Sequence, residues 1–333
     1  MSEGHRIRGS QGAKAVARQG RDIQRKIDDR EAEGGSRRKA EAAPMQAGER
    51  NYPTAFAQQH QAKPGQESAL EPQPMFDAPG YKGSEKLKDM VALITGGDSG
   101  IGRAVAVLYA REGADIAIVY LNEHEDAKAT QSAVEAEGRR CICISGDVAD
   151  MAFCAHAVDE TVQAFGHLDI LVNNAAFQQH VGDFEDLTEE QFDRTLKTNL
   201  YGYFHMAKAA APHLKPGSAI VMTGSVTAMQ GNKHLLDYSM TKGGIHTFAR
   251  SLSESLMEKG IRVNAVAPGP VWTPLNPADR AGDAVAQFGS QAPMMRAAQP
   301  EEIAPAFVFL AAPCCSSYIT GEVLPVVGGY RGG

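Results

Sequence analysis

Thr95-Gly96-Gly97-Asp98-Ser99-Gly100-Ile101-Gly102 is the stretch that decides the fold of this 333-residue chain. It follows the apolar run 90–94 and precedes a helical pattern whose apolar residues over 104–109 share one face. Glycine at this spacing allows a tight strand-to-helix turn, close approach of the backbone to a pyrophosphate, and packing of the helix on the strand. The phosphates would sit at the positive end of the helix that begins near Ile101. A purely structural turn is the alternative, but the strand before it and the helix after it favour a dinucleotide site.

The composition describes a chain that can bury a large hydrophobic core, with 43% hydrophobic residues and a formal net charge of -7. The negative charge argues against nucleic acid as a partner of the whole chain. The five cysteines lack paired metal-ligand spacing, which argues against a zinc site or a disulfide framework, and we predict no metal. No apolar stretch reaches the roughly 18 residues of a membrane span, and the first 30 residues lack the apolar centre of a signal peptide. We therefore expect no membrane partner and a cytoplasmic location.

The composition changes near residue 80. Residues 1–50 carry more Lys and Arg than Asp and Glu, and residues 51–80 hold five prolines among Gln and Gly. Such a segment buries too little apolar surface to offset the entropy of ordering, so we predict a disordered, low-complexity tail over 1–69. A transient helix over 13–33 and a basic contact arm for an anionic partner are the alternatives for this tail.

An extended arm is predicted over residues 70–88. Met75, Phe76 and Tyr81 supply apolar anchors there, but these anchors follow neither a helical nor a strand period. Such spacing favours docking on a folded domain over independent folding.

Short apolar runs alternate with helix-length segments through the rest of the chain. The runs that read as buried strands are 91–94, 115–120, 141–145, 168–172, 219–222, 262–266 and 323–327. The segments that read as helices are 101–111, 125–137, 151–165, 189–211, 238–258 and 300–310. This alternation is typical of parallel strands joined by crossover helices on both faces. We predict one α/β domain over 89–333, doubly wound and of Rossmann type, with a seven-stranded parallel sheet.

A second group of residues can supply acid/base chemistry. Tyr238 and Lys242 are four residues apart, so both side chains fall on one face of a helix. A carbonyl that is reduced needs a proton donor at its oxygen, and an alcohol that is oxidised needs a base there. A tyrosine whose pKa is lowered by a neighbouring lysine can be both. Ser225 can donate a hydrogen bond to the same oxygen. A lone Tyr and Lys pair is usually a surface pair, but Ser225, Asn199 and the glycine-rich turn together favour catalysis.

The ordered set of these motifs resembles the classical short-chain dehydrogenase/reductase (SDR) family from about residue 87 to residue 329. The motifs are Thr-Gly-x-x-x-Gly-Ile-Gly at 95–102, Asn173-Asn174-Ala175, Asn199, Ser225, Tyr238-x-x-x-Lys242 and Pro268-Gly269. Within that family, Gly97-Asp98-Ser99, the run 267–275 and the N-terminal extension look like a bacterial subgroup of general-stress or glucose/ribitol-type oxidoreductases. The resemblance implies hydride transfer between a nicotinamide cofactor and an aldehyde, ketone or polyol, with Tyr238 as general acid/base. It also implies a homotetramer.

The resemblance assigns the site residues as well. The catalytic set is Asn199, Ser225, Tyr238 and Lys242. Within it, Asn199 holds a water that connects Lys242 to a proton relay, and Lys242 grips the nicotinamide ribose. The cofactor-binding set is Gly96, Asp98, Ser99, Gly100, Ile101, Gly102, Asn122, Asp147, Val148, Asn174, Ala175, Tyr238, Lys242, Pro268, Gly269, Val271 and Thr273. Asp147 would contact the adenine ring, with helix capping as its alternative role. Residues 273–296 would form a mobile lid over the substrate, which Trp272 either lines or supports from beneath.

The choice between NAD and NADP depends on the end of the second strand, where an acid binds the ribose hydroxyls of NAD and an arginine binds the extra phosphate of NADP. The chain reads Tyr120-Leu121-Asn122-Glu123-His124-Glu125-Asp126, with neither group at the expected place. The nearby acids would repel a phosphate, so we expect NAD rather than NADP. Gln178, His180 and His234 fall in loops that could face a substrate, and ordinary solvated loop residues are the alternative.

Two other classes of function stay open at this point. A nucleotide-sensing regulator would keep cofactor binding without useful catalysis, and a stress-associated interaction protein would act through its first 80 residues. The apolar stripe of Ile245, Phe248, Leu252 and Leu256 on the helix that carries Tyr238 fits either a subunit interface or a core-facing side.

Overall fold

Seven apolar runs form the strands of one parallel sheet in the computed structural model. They are β1 (Val91–Thr95), β2 (Asp115–Tyr120), β3 (Cys141–Ser145), β4 (Ile170–Asn173), β5 (Ala219–Thr223), β6 (Arg262–Pro268) and β7 (Val323–Val326). Their spatial order is β3-β2-β1-β4-β5-β6-β7, and every neighbouring pair is parallel. Every residue of β1, β2, β5 and β6 is buried, as expected for strands covered on both faces. The prediction of a doubly wound, seven-stranded domain is confirmed.

The structure describes residues 15, 18–26, 28–29, 43–48, 50–280 and 282–329. The chain divides into two units, Met1–Ala43 and Pro44–Gly333. In the first unit residues 18–26 are helical, within the range where the sequence allows a transient helix. The rest of the predicted tail up to residue 42 lies almost wholly outside the described residues.

Helices connect the strands and cover both faces of the sheet. They are α1 (Gly100–Arg111), α2 (His124–Ala136), α3 (Met151–Phe165), α4 (Glu189–Leu196), α5 (Gly202–Ala210), α6 (Thr227–Gln230), α7 (Leu236–Leu256), α8 (Gly282–Ala286), α9 (Pro300–Ala311) and α10 (Pro313–Ser316). The predicted continuous helix over 189–211 is interrupted, because Lys197–Tyr201 form a π-helical turn between α4 and α5. Single π turns within α-helices are frequent at functional sites, and this one contains Asn199.

Two large hydrophobic clusters pack on the sheet, one on each face, and a smaller third cluster surrounds Trp272. Successive residues of a strand point to opposite faces, so Leu93 and Ile94 of β1 belong to different clusters. The apolar stripe of α7 faces one of these clusters. Ile245 and Leu256 are buried in it, and Phe248 and Leu252 pack against it as partly buried residues. The stripe therefore faces the core, as the core-facing interpretation predicts.

The segment that docks on the domain is longer than the sequence predicts. We call residues 44–80 the arm; its described part contacts the domain from Met45 onward, not only from residue 70. Phe56 stacks on Trp272 with ring centroids 3.9 Å apart, and the Trp272 Nε1–H donates to the Pro72 carbonyl at 2.7 Å. Arg50 pairs with Glu301 at 3.0 Å. Composition averaged over 1–69 does not reveal this docking. The arm is held by a few single side chains, each of which contacts the domain.

Candidate active site

The stretch 95–102 forms a turn from β1 into α1, and its glycines are required by geometry. Gly96 has a φ of 61° and Gly100 a φ of 52°, a left-handed region that glycine adopts at little cost. A Cβ atom on Gly102 would lie 1.9 Å from the Gly96 carbonyl oxygen. The turn therefore closes tightly on itself and brings the N-terminus of α1 to the edge of a cleft. An N-terminus in this position suits a phosphate group.

This cleft lies at the carboxyl ends of the strands, between β2 on one side and β5 on the other. β1 is the strand at which the order reverses, and open α/β sheets bind their ligands at that switch point. The predicted cofactor residues that line the cleft are Gly96, Asp98, Ser99, Gly100, Ile101, Asp147, Val148, Asn174, Ala175, Tyr238, Lys242 and Thr273. The predicted residues outside this lining are Gly102, Asn122, Pro268, Gly269 and Val271. Among these, Gly102 lies under the turn and Pro268 ends β6.

Three of the four predicted catalytic side chains meet where β5 ends. α7 carries Tyr238 and Lys242 into the cleft, and Ser225 lies next to the phenol of Tyr238. The Lys242 Nζ lies 5.3 Å from the centre of the Tyr238 ring. It donates to the Thr223 carbonyl at 2.7 Å and to the Tyr203 hydroxyl at 3.4 Å. The sequence spacing of four residues thus produces a compact Ser, Tyr and Lys group.

The pKa values of this group differ from the expectation that Lys242 lowers the pKa of Tyr238. Burial raises the pKa of Tyr238 above its usual value, and the adjacent Ser225 hydroxyl opposes this only in part. Burial lowers the pKa of Lys242 to about 7. The Lys242 ammonium group is held by the Thr223 carbonyl and the Tyr203 hydroxyl rather than by the phenol oxygen.

Asn199, the fourth predicted catalytic residue, lies in the π turn and is fully buried. Its side-chain Nδ2 donates to the Phe177 carbonyl at 2.9 Å and to the Thr241 hydroxyl at 3.0 Å, and its Oδ1 accepts from the Phe177 N–H at 2.8 Å. Both N–H donors of the amide are thereby used. The side chain ties the segment after β4 to α7, next to Lys242. The water-holding role assigned to Asn199 stays a prediction.

Asp147 and Asn174 hold the walls of the cleft on either side of β1. Asp147 pairs with Arg194 at 2.9 Å and accepts from the Ala149 N–H. The N-cap of α3 is Asp150, so Asp147 does not cap that helix. Asn174 donates to the Gly96 carbonyl at 3.0 Å and accepts from the Thr223 hydroxyl at 3.0 Å. It thus joins the glycine-rich turn to the end of β5.

An aspartate that the sequence did not mark lies outside the lining of the cleft and joins the predicted lid to the loop after β4. The buried Asp279 accepts hydrogen bonds from the Gln178 side chain and from the His180 backbone N–H, and its carboxylate also contacts the His180 ring. Burial opposes ionisation of Asp279, but these contacts hold its pKa below its usual value. The predicted lid is thereby pinned to the loop after β4. No sequence motif marks Asp279, because its partners lie about 100 residues away.

The arm also contributes to the cleft, which the sequence analysis did not anticipate. Pro64 and Gly65 line it beside Pro274 and Leu275. The adjacent Lys63 donates to the Gln178 carbonyl at 2.6 Å. A Pro-Gly pair in a polar segment reads as an ordinary turn, so only the folded chain shows where it lies.

Replacing Lys242 with methionine is expected to raise the free energy of unfolding at pH 7 by roughly 1 to 3 kcal/mol. The unfolded chain holds this ammonium at a pKa near 10.5, whereas the folded chain lowers the pKa to about 7. Burial of the charged Lys242 therefore lowers the stability of the wild type by its full amount below pH 7. This loss of stability shrinks as the pH rises and vanishes above pH 10.5. Urea unfolding at pH 7 and at about pH 9.5 measures both values. A wild type more stable than Lys242→Met at pH 7 would show that the two hydrogen bonds of Nζ outweigh the cost of burial.

The described residues contain neither a metal-ligand cluster nor a membrane-spanning helix. None of the groups of His, Cys, Asp and Glu there brings together three side chains placed to hold a metal ion. In the same part of the chain, no helix is both long and apolar enough to cross a membrane.

Comparison with known proteins places these features in a family. The family model described as Enoyl-(Acyl carrier protein) reductase matches residues 96–331. General stress protein 39 of Bacillus subtilis is 53% identical, over 84% of this chain and 98% of that protein. Glucose and ribitol dehydrogenase of Daucus carota is 47% identical, over 82% of this chain and 95% of that protein. The crystal structure of a short chain dehydrogenase from Burkholderia cenocepacia in complex with NADP matches with a TM-score of 0.69 and 38% identity, over 73% of this chain and 98% of that one.

Proposed function

The chain belongs to the short-chain dehydrogenase/reductase family, and we propose that Tyr238 is the general acid/base of a nicotinamide-dependent reaction on a carbonyl or alcohol substrate. The chain is an oxidoreductase of that family, and it resembles the general-stress and the glucose and ribitol dehydrogenase types. The observation that carries the proposal is the meeting of Ser225, Tyr238 and Lys242 at the end of β5, beside the cleft formed by the glycine-rich turn.

The residues that line the cleft fit a nicotinamide dinucleotide. The N-terminus of α1 suits the pyrophosphate, the carboxylates of Asp98 and Glu123 suit ribose hydroxyls at one end, and Lys242 suits the second ribose at the other. When bound, the cofactor supplies the hydride donor or acceptor and, in its oxidised form, a positive charge near Tyr238. Such a charge opposes the effect of burial on the pKa of the phenol.

Each catalytic side chain then has one task. Ser225 donates a hydrogen bond to the substrate oxygen and orients it. In reduction the phenol oxygen of Tyr238 gives its proton to that oxygen, and in oxidation it takes the proton from the alcohol. Lys242, whose pKa of about 7 lets it exchange a proton near neutral pH, lies on the path that supplies or removes the proton of the phenol, without contacting the phenol oxygen itself. Asn199 ties α7 to the loop after β4. As the resemblance implies, it also holds the water that extends the proton path beyond Lys242.

For the substrate we propose small or medium aldehydes, ketones and polyols. The cleft combines apolar groups of Phe177 and Leu275 with the reactive hydroxyls. Behind Phe177, Gln178 and His180 are held by Asp279, so their remaining polar atoms lie at fixed positions near the rim. The name of the glucose and ribitol dehydrogenase relative supports this substrate class.

A substrate panel tests the proposal directly. The purified protein is mixed with NAD and polyols, or with the reduced cofactor and aldehydes or ketones, and the absorbance of reduced nicotinamide is followed. We expect turnover with at least one member of the panel. Tight dinucleotide binding without turnover on any member would overturn the proposal and favour a nucleotide-sensing protein.

We propose NAD as the preferred cofactor because two buried acids line the β2 end of the cleft. Burial raises the pKa of Asp98 to about 6, and Glu123 accepts from the Asn122 N–H at 3.2 Å. Arg103 is already engaged by the Asp98 carbonyl and by Glu67, and Arg194, which lines the cleft, pairs with Asp147. The relative of known structure was solved with NADP, so this preference rests on the residues of this chain.

Replacing Glu123 with glutamine is expected to tighten NADP binding about five- to tenfold, because removal of one carboxylate removes about 1 to 1.4 kcal/mol of repulsion toward the extra phosphate. NAD binding should change much less. Titration calorimetry with both cofactors measures the ratio of the two dissociation constants. Glu125→Gln is the matched control, since the Glu125 side chain is 80% exposed and pairs with Lys128. An equal change of NADP affinity in both variants would show that the Glu123 carboxylate is not the specific source of the repulsion.

We also propose a homotetramer in the cytoplasm. The stripe of α7 faces the core, so support for assembly comes instead from apolar side chains that are exposed on and near α5 and α7, namely Tyr201, Phe204 and Met240. The cytoplasmic location is supported by cysteine usage, since all five thiols are free.

A further inference from the structure

Glu67 of the arm reaches the glycine-rich turn from behind the cleft. Its carboxylate accepts a hydrogen bond from the backbone N–H of Gly100, the first residue of α1. The first N–H groups of a helix have no partner within the helix and need one from elsewhere. Ser99, the N-cap residue of α1, makes no capping hydrogen bond with its side chain. Glu67, 33 residues earlier in the chain, takes that role and leaves the Ser99 side chain to the cleft.

A buried ion pair fixes Glu67 in this position. Its carboxylate accepts from Arg103 Nη1 at 2.6 Å, and both side chains are almost completely buried. Arg103 also donates to the Asp98 carbonyl at 2.7 Å and to the Thr130 hydroxyl at 2.9 Å. The Glu67 N–H in turn donates to the Asp126 carboxylate at 2.7 Å. The arm, the turn and α2 are therefore joined through one buried group, in which the Arg103 guanidinium lies between the carboxylates of Glu67 and Asp126.

The residues just before Glu67 hold the opposite side of the cleft. Gly65 has a φ of 94°, and a Cβ atom there would lie 2.8 Å from the Pro274 carbonyl oxygen. The Lys63 ammonium donates to the Gln178 carbonyl and lies 5.1 Å from the centre of the Phe177 ring. Within five residues the arm thus contacts the glycine-rich turn, the start of the lid and the loop after β4.

We infer that the segment 63–67 is part of the cofactor site, in which Glu67 is a positioning residue. Glu67 holds Gly100 and, through Arg103, the carbonyl of Asp98, so that the turn keeps the shape that receives a pyrophosphate. Arg103 neutralises the carboxylate, which would otherwise repel the phosphates. Residues 63–65 contact both the lid and the loop after β4 and hold the two together. The inference rests on the proposed function, because it concerns the affinity of the proposed cofactor site.

Glu67 variants test this role by their affinity for NAD. Glu67→Ala removes both the cap and the ion pair, and we expect its dissociation constant for NAD to rise about tenfold or more. Glu67→Gln keeps an oxygen for the Gly100 N–H, so its affinity should lie between those of Glu67→Ala and the wild type. Arg50→Ala is the control, because it breaks another ion pair between arm and domain, with Glu301, away from the cleft. Titration calorimetry should find NAD binding of Arg50→Ala within about twofold of the wild type.

Hydrogen exchange in the wild type provides a test that does not depend on the folding of a variant. If a docked arm favours NAD binding, linkage requires that NAD favours the docked arm. Saturating NAD should therefore slow amide exchange in peptides that contain residues 63–70 and leave peptides that contain residues 50–56 unchanged.

The outcomes separate the inference from the proposed function. A wild type that binds neither NAD nor NADP would overturn the proposed function and the inference with it. A wild type that binds NAD, but with equal affinity in Glu67→Ala or with unchanged exchange over 63–70, would overturn the inference alone. An equal loss of affinity in Glu67→Ala and Arg50→Ala would also overturn it, since general docking of the arm would then explain the effect.

Discussion

Tyr238→Phe is expected to lower kcat by about 10²- to 10⁴-fold, the contribution typical of a positioned general acid or base. Phenylalanine keeps the buried ring on α7 and its packing beside the Lys242 ammonium, and it removes only the oxygen that carries the proton. The dissociation constant for the nicotinamide cofactor should therefore stay within about twofold of the wild-type value. Steady-state kinetics and titration calorimetry on the same preparation measure both quantities.

Tyr109→Phe is the matched control for this loss of a hydroxyl. Tyr109 is fully buried in the core on α1, where its hydroxyl donates to the Phe307 carbonyl at 3.0 Å. Its replacement should cost about 1 kcal/mol of stability and leave kcat unchanged. A Tyr238→Phe variant that turns over at the wild-type rate would remove Tyr238 from the reaction, and an equal loss of kcat in both variants would point to a structural cause.

Gly102→Ala is expected to weaken cofactor binding by up to about 100-fold. The added Cβ would lie 1.9 Å from the Gly96 carbonyl oxygen and 2.9 Å from the Asn174 Nδ2, so the turn has to open. Overpacking against backbone costs up to about 3 kcal/mol, and every 1.4 kcal/mol corresponds to a tenfold change in affinity. Calorimetric titration with NAD measures the loss.

Gly243→Ala is the matched control, because it makes the same substitution at a position with free space. Gly243 lies within α7, and a Cβ there would meet no atom within 4 Å. Its thermal stability should be equal to or slightly above that of the wild type, because alanine favours helix by about 1 kcal/mol over glycine. If Gly102→Ala binds NAD as tightly as Gly243→Ala, the glycine-rich turn does not hold the cofactor.

Local pattern predicted the sheet well and the π turn poorly. Buried parallel strands read as continuous apolar runs, so β1 and β2 could be located to within a residue from the sequence. At Lys197–Tyr201 the backbone hydrogen bonds change from the α-helical to the π-helical pattern. The apolar pattern of the sequence does not change there. A periodic pattern therefore indicated one helix over 189–211.

The residues missed in the site are those whose partners lie far away in the chain. Glu67 meets Gly100 and Arg103 only after the arm folds back, and Asp279 meets Gln178 and His180 from about 100 residues away. No local period or motif records such contacts. The proposed catalytic group was predicted from the spacing of Tyr238 and Lys242 and from the resemblance to a family, whereas its pKa values depend on burial and on the carbonyl of Thr223, which spacing does not show.

The fate of a labelled hydride tests the central claim most directly. The protein is mixed with an aldehyde that it reduces and with reduced nicotinamide cofactor that carries deuterium at the transferred position, and the mass of the alcohol product is measured. We predict an alcohol with one deuterium on the former carbonyl carbon, formed by the wild type and nearly absent with Tyr238→Phe. An alcohol without deuterium, or equal product from both proteins, would contradict the account.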